Sequence, residues 1–384
     1  MAEADDTKAI SVDGNRLTVI ADGPARMKAL LGLIDGATAT LRLLYYTYTG
    51  DKSGGLVRDA LLRAQTRGVK VWLLVDGFGS GHTPEAYFKP LRDGGAKMCR
   101  FNPAYGRRYM LRNHQKLALA DDKHILIGGF NIEDDYFGTE ADGAWRDIGL
   151  LLEGEAAARV APYYDALMAW SLNQRSRLKD LRAAVNRFSE RKGPLQWQYG
   201  GPMQLRSPWA MSTVQDLAAC KSLEMIAAYF APLGGMLKRI AMVSARGSVR
   251  IITAAKSDNR ATIDAARSTY SRLMRRGVTI YEYQPAKLHS KLLVMDDVVH
   301  IGSSNFDLRS LYLNMEMMLR VDDRAFAKLM RRYFEGEVSD SVEITEALHH
   351  VRGHWLERLR WKVGWFLVTS LDYTVTRNLA LRAR

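Results

Sequence analysis

The chain is poor in the residues that staple or metallate small domains: its 384 residues include two cysteines, Cys99 and Cys220, and eight histidines. Two isolated cysteines exclude a disulfide framework and offer no zinc-type spacing, which fits a reducing compartment. Nowhere is there an unbroken apolar run of the ~20 residues that a membrane-spanning helix needs. Residues 1–8 have neither the basic start nor the apolar stretch of a signal peptide, so the expectation is a protein held on the cytoplasmic side. Core-forming residues are not scarce. At 47 % apolar, the composition excludes disorder and suffices for two domains with separate cores. Acidic charge falls short of basic, 42 against 55, and the net +13 indicates an anionic partner, either a phospholipid surface or nucleic acid.

One cassette occurs twice. His114 and Lys116 are followed by Asp121, Gly128, Gly129 and Asn131; His289 and Lys291 are followed by Asp296, Gly302, Ser303 and Asn305. A phosphodiester exchange needs a nucleophile to carry the phosphoryl group and an acid to protonate the departing alcohol, and imidazole serves as either near neutral pH. Two cassettes therefore imply one shared site, each half supplying a histidine. A single His-x-Lys pair arises by chance in many chains; duplication with constant spacing argues against chance.

The surroundings repeat as well. Apolar segments 41–48 and 223–230 read as buried strands, each followed by a helical pattern (55–67 and 235–245), a glycine stop, and a second strand (69–75 and 249–253). The cassettes lie on further strands, 116–120 and 291–295, where residues two apart share a face, with Leu117, Leu119, Leu292 and Val294 turned to a core. Short strands 125–127 and 298–301 end in small residues that let backbone amides approach an anion. Between aspartate and glycine the second cassette is one residue shorter, which threatens the register of Ser303 and Ser304.

His-x-Lys-x4-Asp followed by Gly-Gly or Gly-Ser and Asn resembles the paired signature of the phospholipase D superfamily. The flanks Arg112-Asn113-His114, Asp135-Tyr136, Trp145-Arg146-Asp147, Asn305-Phe306-Asp307, Asn314 and Glu316 resemble its bacterial cardiolipin synthase branch, over roughly residues 25 to 335. One minor position departs from it: Ala227-Ala228-Tyr229-Phe230 stands where Ser-Pro-Tyr-Phe is expected. The resemblance implies two similar α/β sandwich domains about a pseudo-twofold axis, with the active site at their interface and neither cofactor nor metal. It implies His114 as nucleophile and His289 as general acid and base, although the residues alone do not distinguish them. Lys116 and Lys291 would neutralise non-bridging phosphate oxygens, with Asn131, Asn305, Gly129 and Ser303 around the phosphate. Asp147 and Glu316 are expected to orient the histidines, each within its own half, against the alternative of ordinary salt bridges with Arg146 or Arg309. Asp121 and Asp296 read as supports.

These readings divide the chain into a first domain (1–172), a basic linker (173–215) that reads either as an interfacial helix or as a solvated connection, a second domain (216–340) and a basic aromatic tail (341–384). The tail, with Trp355, Trp361 and Trp365 among basic residues, is too short and polar to span, and Asp372, Arg377, Arg382 and Arg384 interrupt it. Peripheral association with the inner face of the cell membrane is expected, against docking of the tail on the second domain. The expected activity is a phosphatidyl transfer between phospholipids at an anionic membrane surface, with no obligate protein partner. A hydrolase releasing phosphatidic acid is the alternative. A nuclease is less favoured, because short superfamily nucleases carry one cassette and dimerise, whereas this chain carries both.

Overall fold

The computed structural model describes residues 9–102, 111–173 and 175–371. Residues 1–8 and the tail positions Asp372, Arg377, Arg382 and Arg384 lie outside the described residues.

Two eight-stranded mixed sheets form the frame. The first contains β1 (Ala9–Val12), β2 (Asn15–Ile20), β3 (Thr40–Tyr45), β4 (Lys70–Asp76), β5 (Lys97–Phe101), β6 (Leu117–Ala120), β7 (His124–Gly128) and β8 (Gly149–Glu153), in the order β1-β2-β8-β7-β6-β3-β4-β5. The second half provides β9 (Leu195–Gly200), β10 (Ser222–Ala227), β11 (Phe230–Ala231), β12 (Ser248–Ala254), β13 (Thr279–Tyr283), β14 (Lys291–Met295), β15 (Val298–Gly302), β16 (Phe306–Asp307), β17 (Glu316–Asp322) and β18 (Ser341–Glu343). Its main sheet runs β18-β13-β12-β10-β14-β15-β17-β9, while β11 and β16 pair separately. Read in opposite directions and offset by one strand, the orders coincide: β3, β6, β7 and β8 correspond to β10, β14, β15 and β17. In each half the crossovers through helices are parallel and the cassette hairpin is antiparallel.

Edge strand β9, the counterpart of β2, corrects the extent assigned to the linker. Its residues were obscured by flanking glycines and prolines, yet Leu195, Trp197 and Tyr199 alternate with Gln196 and Gln198 in strand fashion and pair with β17. The basic stretch before it does form a helix, Leu178–Phe188, whose Leu181 and Val185 are buried.

Helix Lys52–Thr66 begins where the Asp51 carboxylate accepts the Gly54 amide hydrogen at 2.8 Å. It stops before Gly68, whose φ of +87° suits glycine. Leu117, Leu119, Leu292 and Val294 are fully buried in one apolar cluster shared by both halves. Burial of each such side chain contributes roughly 1.5–3 kcal/mol. Separate clusters lie beneath the outer helices of each sheet. The shared cluster fixes the two cassette hairpins relative to one another.

The one-residue difference between the cassettes is absorbed at the hairpin tips. Register places Ala120 opposite His124 across a three-residue turn, but Met295 opposite Val298 across a two-residue turn. Leu117 and Ile127 pair as do Leu292 and Ile301, so the loops beyond Gly128 and Gly302 start in equivalent places. Asp121 and Asp296 occupy the left-handed region at these tips. Asp121 accepts amide hydrogens from Thr38, Ala39 and Thr40 at 2.7–2.8 Å, and Asp296 accepts those of Lys221 and Ser222. Partial burial opposes ionisation of Asp121, but these donors hold its carboxyl down at about 2.

Candidate active site

Both histidines enter the site from segments clamped by the opposite half. The His114 amide donates to the Met315 carbonyl at 2.9 Å, and the His289 amide donates to the Arg146 carbonyl at 2.7 Å. Short parallel bridges join Asn113 to Met315 and Arg146 to Leu288. Met315 and Arg146 immediately precede the two orienting carboxylates, so this backbone pairing carries each carboxylate to the histidine of the other half.

Nδ1 of His114 lies 3.0 Å from Oε1 of Glu316, and Nδ1 of His289 lies 2.6 Å from Oδ2 of Asp147. The expectation that each acid serves its own half is therefore corrected: the pairs are crossed. Sequence distance misled because the carboxylates follow their own histidines closely in the chain, while the strands that hold them point across the interface. Both carboxylates are fully buried. Each pairing leaves Nε2 as the nitrogen that can meet a substrate, and both histidines line one cavity of about 630 Å³.

The lysines are tucked beneath the histidines. Lys116 Nζ donates to the His114 carbonyl at 2.7 Å, and Lys291 Nζ donates to the His289 carbonyl. Gly129 makes room for the second pair, since a Cβ there would lie 2.7 Å from the Asp147 carboxylate and 3.0 Å from Lys291 Cδ. Ser303 does not fill its expected place as a phosphate ligand. Its hydroxyl donates to Glu316 Oε2 at 2.5 Å and accepts the Met317 amide hydrogen, so it holds the carboxylate instead. Asn131 and Asn305 both line the cavity. Asn131 accepts from the Thr47 amide and donates to the Tyr136 hydroxyl, whereas the buried Oδ1 of Asn305 has no partner.

Several contributors were not assigned from sequence. Tyr136 and Trp145 each stand 5.1 Å from the His289 ring, with Tyr229 at 6.4 Å, while Tyr46 stands 5.0 Å from His114. Tyr46 and Tyr229 come from loops after equivalent strands but from positions offset by one, so aligning the repeats does not reveal them. Gln115, between His114 and Lys116, donates to the Glu316 carbonyl and the Tyr163 hydroxyl. Its place between the two cassette residues was the available signal. Arg26, 1 % exposed, donates to the carbonyls of Asp147 and Tyr136, bracing the second pair from a helix that carries no motif.

Burial, reinforced by the charges of Lys116 and Lys291, holds His114 well below the ordinary imidazole range. Burial and Lys291 push His289 down to about 3 against the pull of Asp147. The carboxylates diverge. Burial raises Glu316 to about 8 despite Lys116 and Ser303, whereas His289 and Lys291 overcome burial and keep Asp147 below the usual carboxylate range. His289 thus has the standing negative partner, which stabilises an imidazolium once a phosphate anion offsets the lysines.

The cavity is electrically uneven. Around His289, the Trp145 indole donates to Asp135 at 3.0 Å and the Tyr229 hydroxyl donates to Asp258 at 2.6 Å, with Glu133 close by. Lys287 sits over Trp145 at this end. At the His114 end, Arg112 lies 4.1 Å over Phe78, and Arg309 adds a second guanidinium.

A duplicated α/β fold that crosses two histidine–carboxylate pairs at one cavity defines the phospholipase D class of phosphodiester chemistry. The chain belongs to the cardiolipin synthase family of that class: the family described as "Cardiolipin synthase, PLD-like domain" matches residues 30–160 and 215–338. Among its relatives, the major cardiolipin synthase of Bacillus subtilis is 30 % identical over 361 residues, covering 91 % of this chain and 74 % of that protein. Cardiolipin synthase 2 of Bacillus anthracis is 29 % identical over 346 residues, 87 % of this chain and 66 % of that protein. The chain thus spans about two thirds of the latter's length. Phosphatidylserine synthase of Haemophilus influenzae superposes with a TM-score of 0.70 at 13 % identity, covering 97 % of this chain and 96 % of its own. Polyphosphate kinase of Porphyromonas gingivalis superposes with a TM-score of 0.60 at 13 % identity, over 96 % of this chain and 53 % of that one. These two likenesses speak to the fold alone.

Proposed function

We propose that the protein is a phosphatidyltransferase of the cardiolipin synthase type, acting on phospholipids at an anionic membrane surface to which it binds peripherally, on the inner face of the cell membrane. The observation that carries this reading is the pair of crossed imidazole–carboxylate couples at one cavity, within a chain of this family. Among the described residues no helix is long and apolar enough to cross a membrane.

In the first step Nε2 of His114 attacks the phosphorus of a phospholipid headgroup diester. The bond from phosphorus to the headgroup oxygen breaks, the departing alkoxide takes the proton of the His289 imidazolium, and a phosphatidyl-histidine remains. In the second step neutral His289 removes the proton of an acceptor hydroxyl as its oxygen attacks phosphorus. The P–N bond breaks and His114 is restored. Lys116 and Lys291 stabilise the charge on the non-bridging oxygens, with Asn131, Asn305 and the amide of Gly129 as further donors. The assignment of His114 as nucleophile draws support from the ionised Asp147 beside His289, the couple better suited to hold a transferable proton.

In-line displacement puts the exchanged alcohol at the His289 end, where carboxylates accept hydrogen bonds from hydroxyl groups. A glycerol headgroup suits this end, and phosphatidylglycerol as both donor and acceptor gives cardiolipin and glycerol. Incubating the purified protein with phosphatidylglycerol vesicles and resolving the lipids by mass spectrometry tests the proposal. Cardiolipin formed by the wild type and lost in His114→Ala and His289→Ala supports the transferase. Phosphatidic acid alone would make it a hydrolase, and the absence of lipid turnover would end the proposal.

A further inference from the structure

Helix Trp355–Phe366 rests on helix Arg260–Met274 by one side only. Trp361 is 3 % exposed and stacks on His349 with ring centroids 4.8 Å apart. Arg360 grips Asp264 with two hydrogen bonds, at 3.0 and 3.2 Å. At Gly364 the two helices approach so closely that a Cβ would lie 2.8 Å from Asp264 Cβ and 3.2 Å from the Ala261 carbonyl oxygen. These contacts fix the helix against the second half.

Its opposite side is apolar and open. Trp355, Leu356, Leu359, Val363, Phe366 and Leu367 are between 44 % and 72 % exposed. At 3.6 residues per turn, these six positions fall within an arc of about 120°. Exposed Arg358 and Lys362 form the strip beside that arc. Single exposed apolar residues are ordinary on protein surfaces, whereas a continuous stripe bordered by cations marks a surface with a partner.

We propose that this stripe docks the protein on an anionic phospholipid bilayer, its apolar side chains entering the boundary between headgroups and acyl chains while Arg358 and Lys362 meet headgroup phosphates. Charge complementarity favours that occupant. Position favours it too. Asn259, which caps the supporting helix, and Asp258 before it line the catalytic cavity, and Ala261 in the first turn of that helix touches Gly364. The helix bearing the stripe is therefore seated on an element that walls the cavity, and we infer that a bilayer on the stripe presents its lipid phosphates to that cavity. Two alternatives for the tail, insertion in lipid or docking on the fold, become two faces of one helix. The inference rests on the phospholipid reading of the active site and assigns it an orientation.

The test compares the full chain with Leu359→Glu/Val363→Glu, with Arg358→Glu/Lys362→Glu, and with a control substitution at a remote exposed residue, Leu56→Glu. Each is floated with mixed phosphatidylcholine and phosphatidylglycerol vesicles, and melting temperatures verify folding. The apolar pair of changes is expected to cut vesicle recovery about tenfold or more, and the charge reversal to cut it severalfold and weaken its salt dependence. Leu56→Glu is expected to float like wild type. Undiminished recovery of a folded Leu359→Glu/Val363→Glu protein overturns the inference. So does sedimentation showing a wild-type dimer that this variant dissociates, because the stripe then belongs to a second copy. Turnover of dissolved short-chain phosphatidylglycerol separates the two readings: its absence in wild type counts against the phospholipid activity, whereas its presence with unaltered flotation of the variants counts against docking alone.

Discussion

His114 and Glu316 stand 202 residues apart in the chain and 3.0 Å apart in space, and His289 with Asp147 completes the same relationship in reverse. Each half supplies an imidazole whose tautomer is set by the other half, so neither half holds a complete couple.

The two carboxylates should consequently fail differently. Glu316→Ala removes the group that holds Nδ1 of His114 and is expected to slow phosphoenzyme formation roughly 10²- to 10⁴-fold. Asp147→Asn deprives the proton-transferring His289 of its negative partner and is expected to slow both chemical steps on a comparable scale. Single-turnover quench experiments with labelled phosphatidylglycerol read each step. Equal phosphoenzyme formation in wild type and Glu316→Ala would contradict the crossed assignment.

Gly129→Ala provides a steric test of the same couple. The added methyl meets the Asp147 carboxylate at 2.7 Å, and its contact with Lys291 is no looser than 3.0 Å. Turnover is expected to fall by about one to two orders of magnitude, as when a supporting contact is lost, while the melting temperature moves little. A variant as active as wild type would show that this loop yields without disturbing Asp147.

The duplication, the strand and helix order and the cassette residues were legible because each rests on local pattern: alternation in 291–295, glycine stops, and small residues after the hairpins. What was not legible depends on how the halves meet. The crossing of Asp147 and Glu316 follows from backbone bridges at Met315 and Arg146, which no spacing within one half encodes. Ser303 looked like a phosphate ligand because its loop equals that of Gly129, yet the hydroxyl of its side chain found Glu316. Strand β9 was hidden because its partner, β17, lies more than a hundred residues onward. Arg26 carried no signal, being one of two cations, with Lys28, in a largely apolar helix.

The carboxyl of Glu133 gives the cavity a pH-dependent charge. Burial first, then Asp135 and neighbouring acids, push it up to about 7. It is neutral below that value and anionic above, so raising the pH adds negative charge at the end assigned to the exchanged alcohol. The KM for phosphatidylglycerol, itself anionic, is expected to rise severalfold between pH 6 and pH 8 by the ordinary span of one titration. Glu133→Gln should flatten that rise and leave the low-pH KM nearly unaltered. A wild-type KM constant across this interval would contradict the assignment.

Arg146 ties stability to chemistry, because its carbonyl accepts the His289 amide while its guanidinium pairs with Glu337 on helix Arg324–Ser339 of the second half. Glu337 is 1 % exposed, whereas the Arg146 side chain keeps 32 % exposure and has access to water when unpaired. Glu337→Ala is therefore expected to cost about 1–3 kcal/mol, below the usual penalty for severing a fully buried pair. Glu337→Gln, which retains an acceptor, should cost less. Because Asp147 follows Arg146 directly, kcat should decline with the loss of stability in Glu337→Ala while KM changes little. Thermal denaturation and steady-state kinetics measure both quantities on the same preparation. A folded Glu337→Ala protein with wild-type kcat would show that the Asp147 couple is held by the backbone bridge alone.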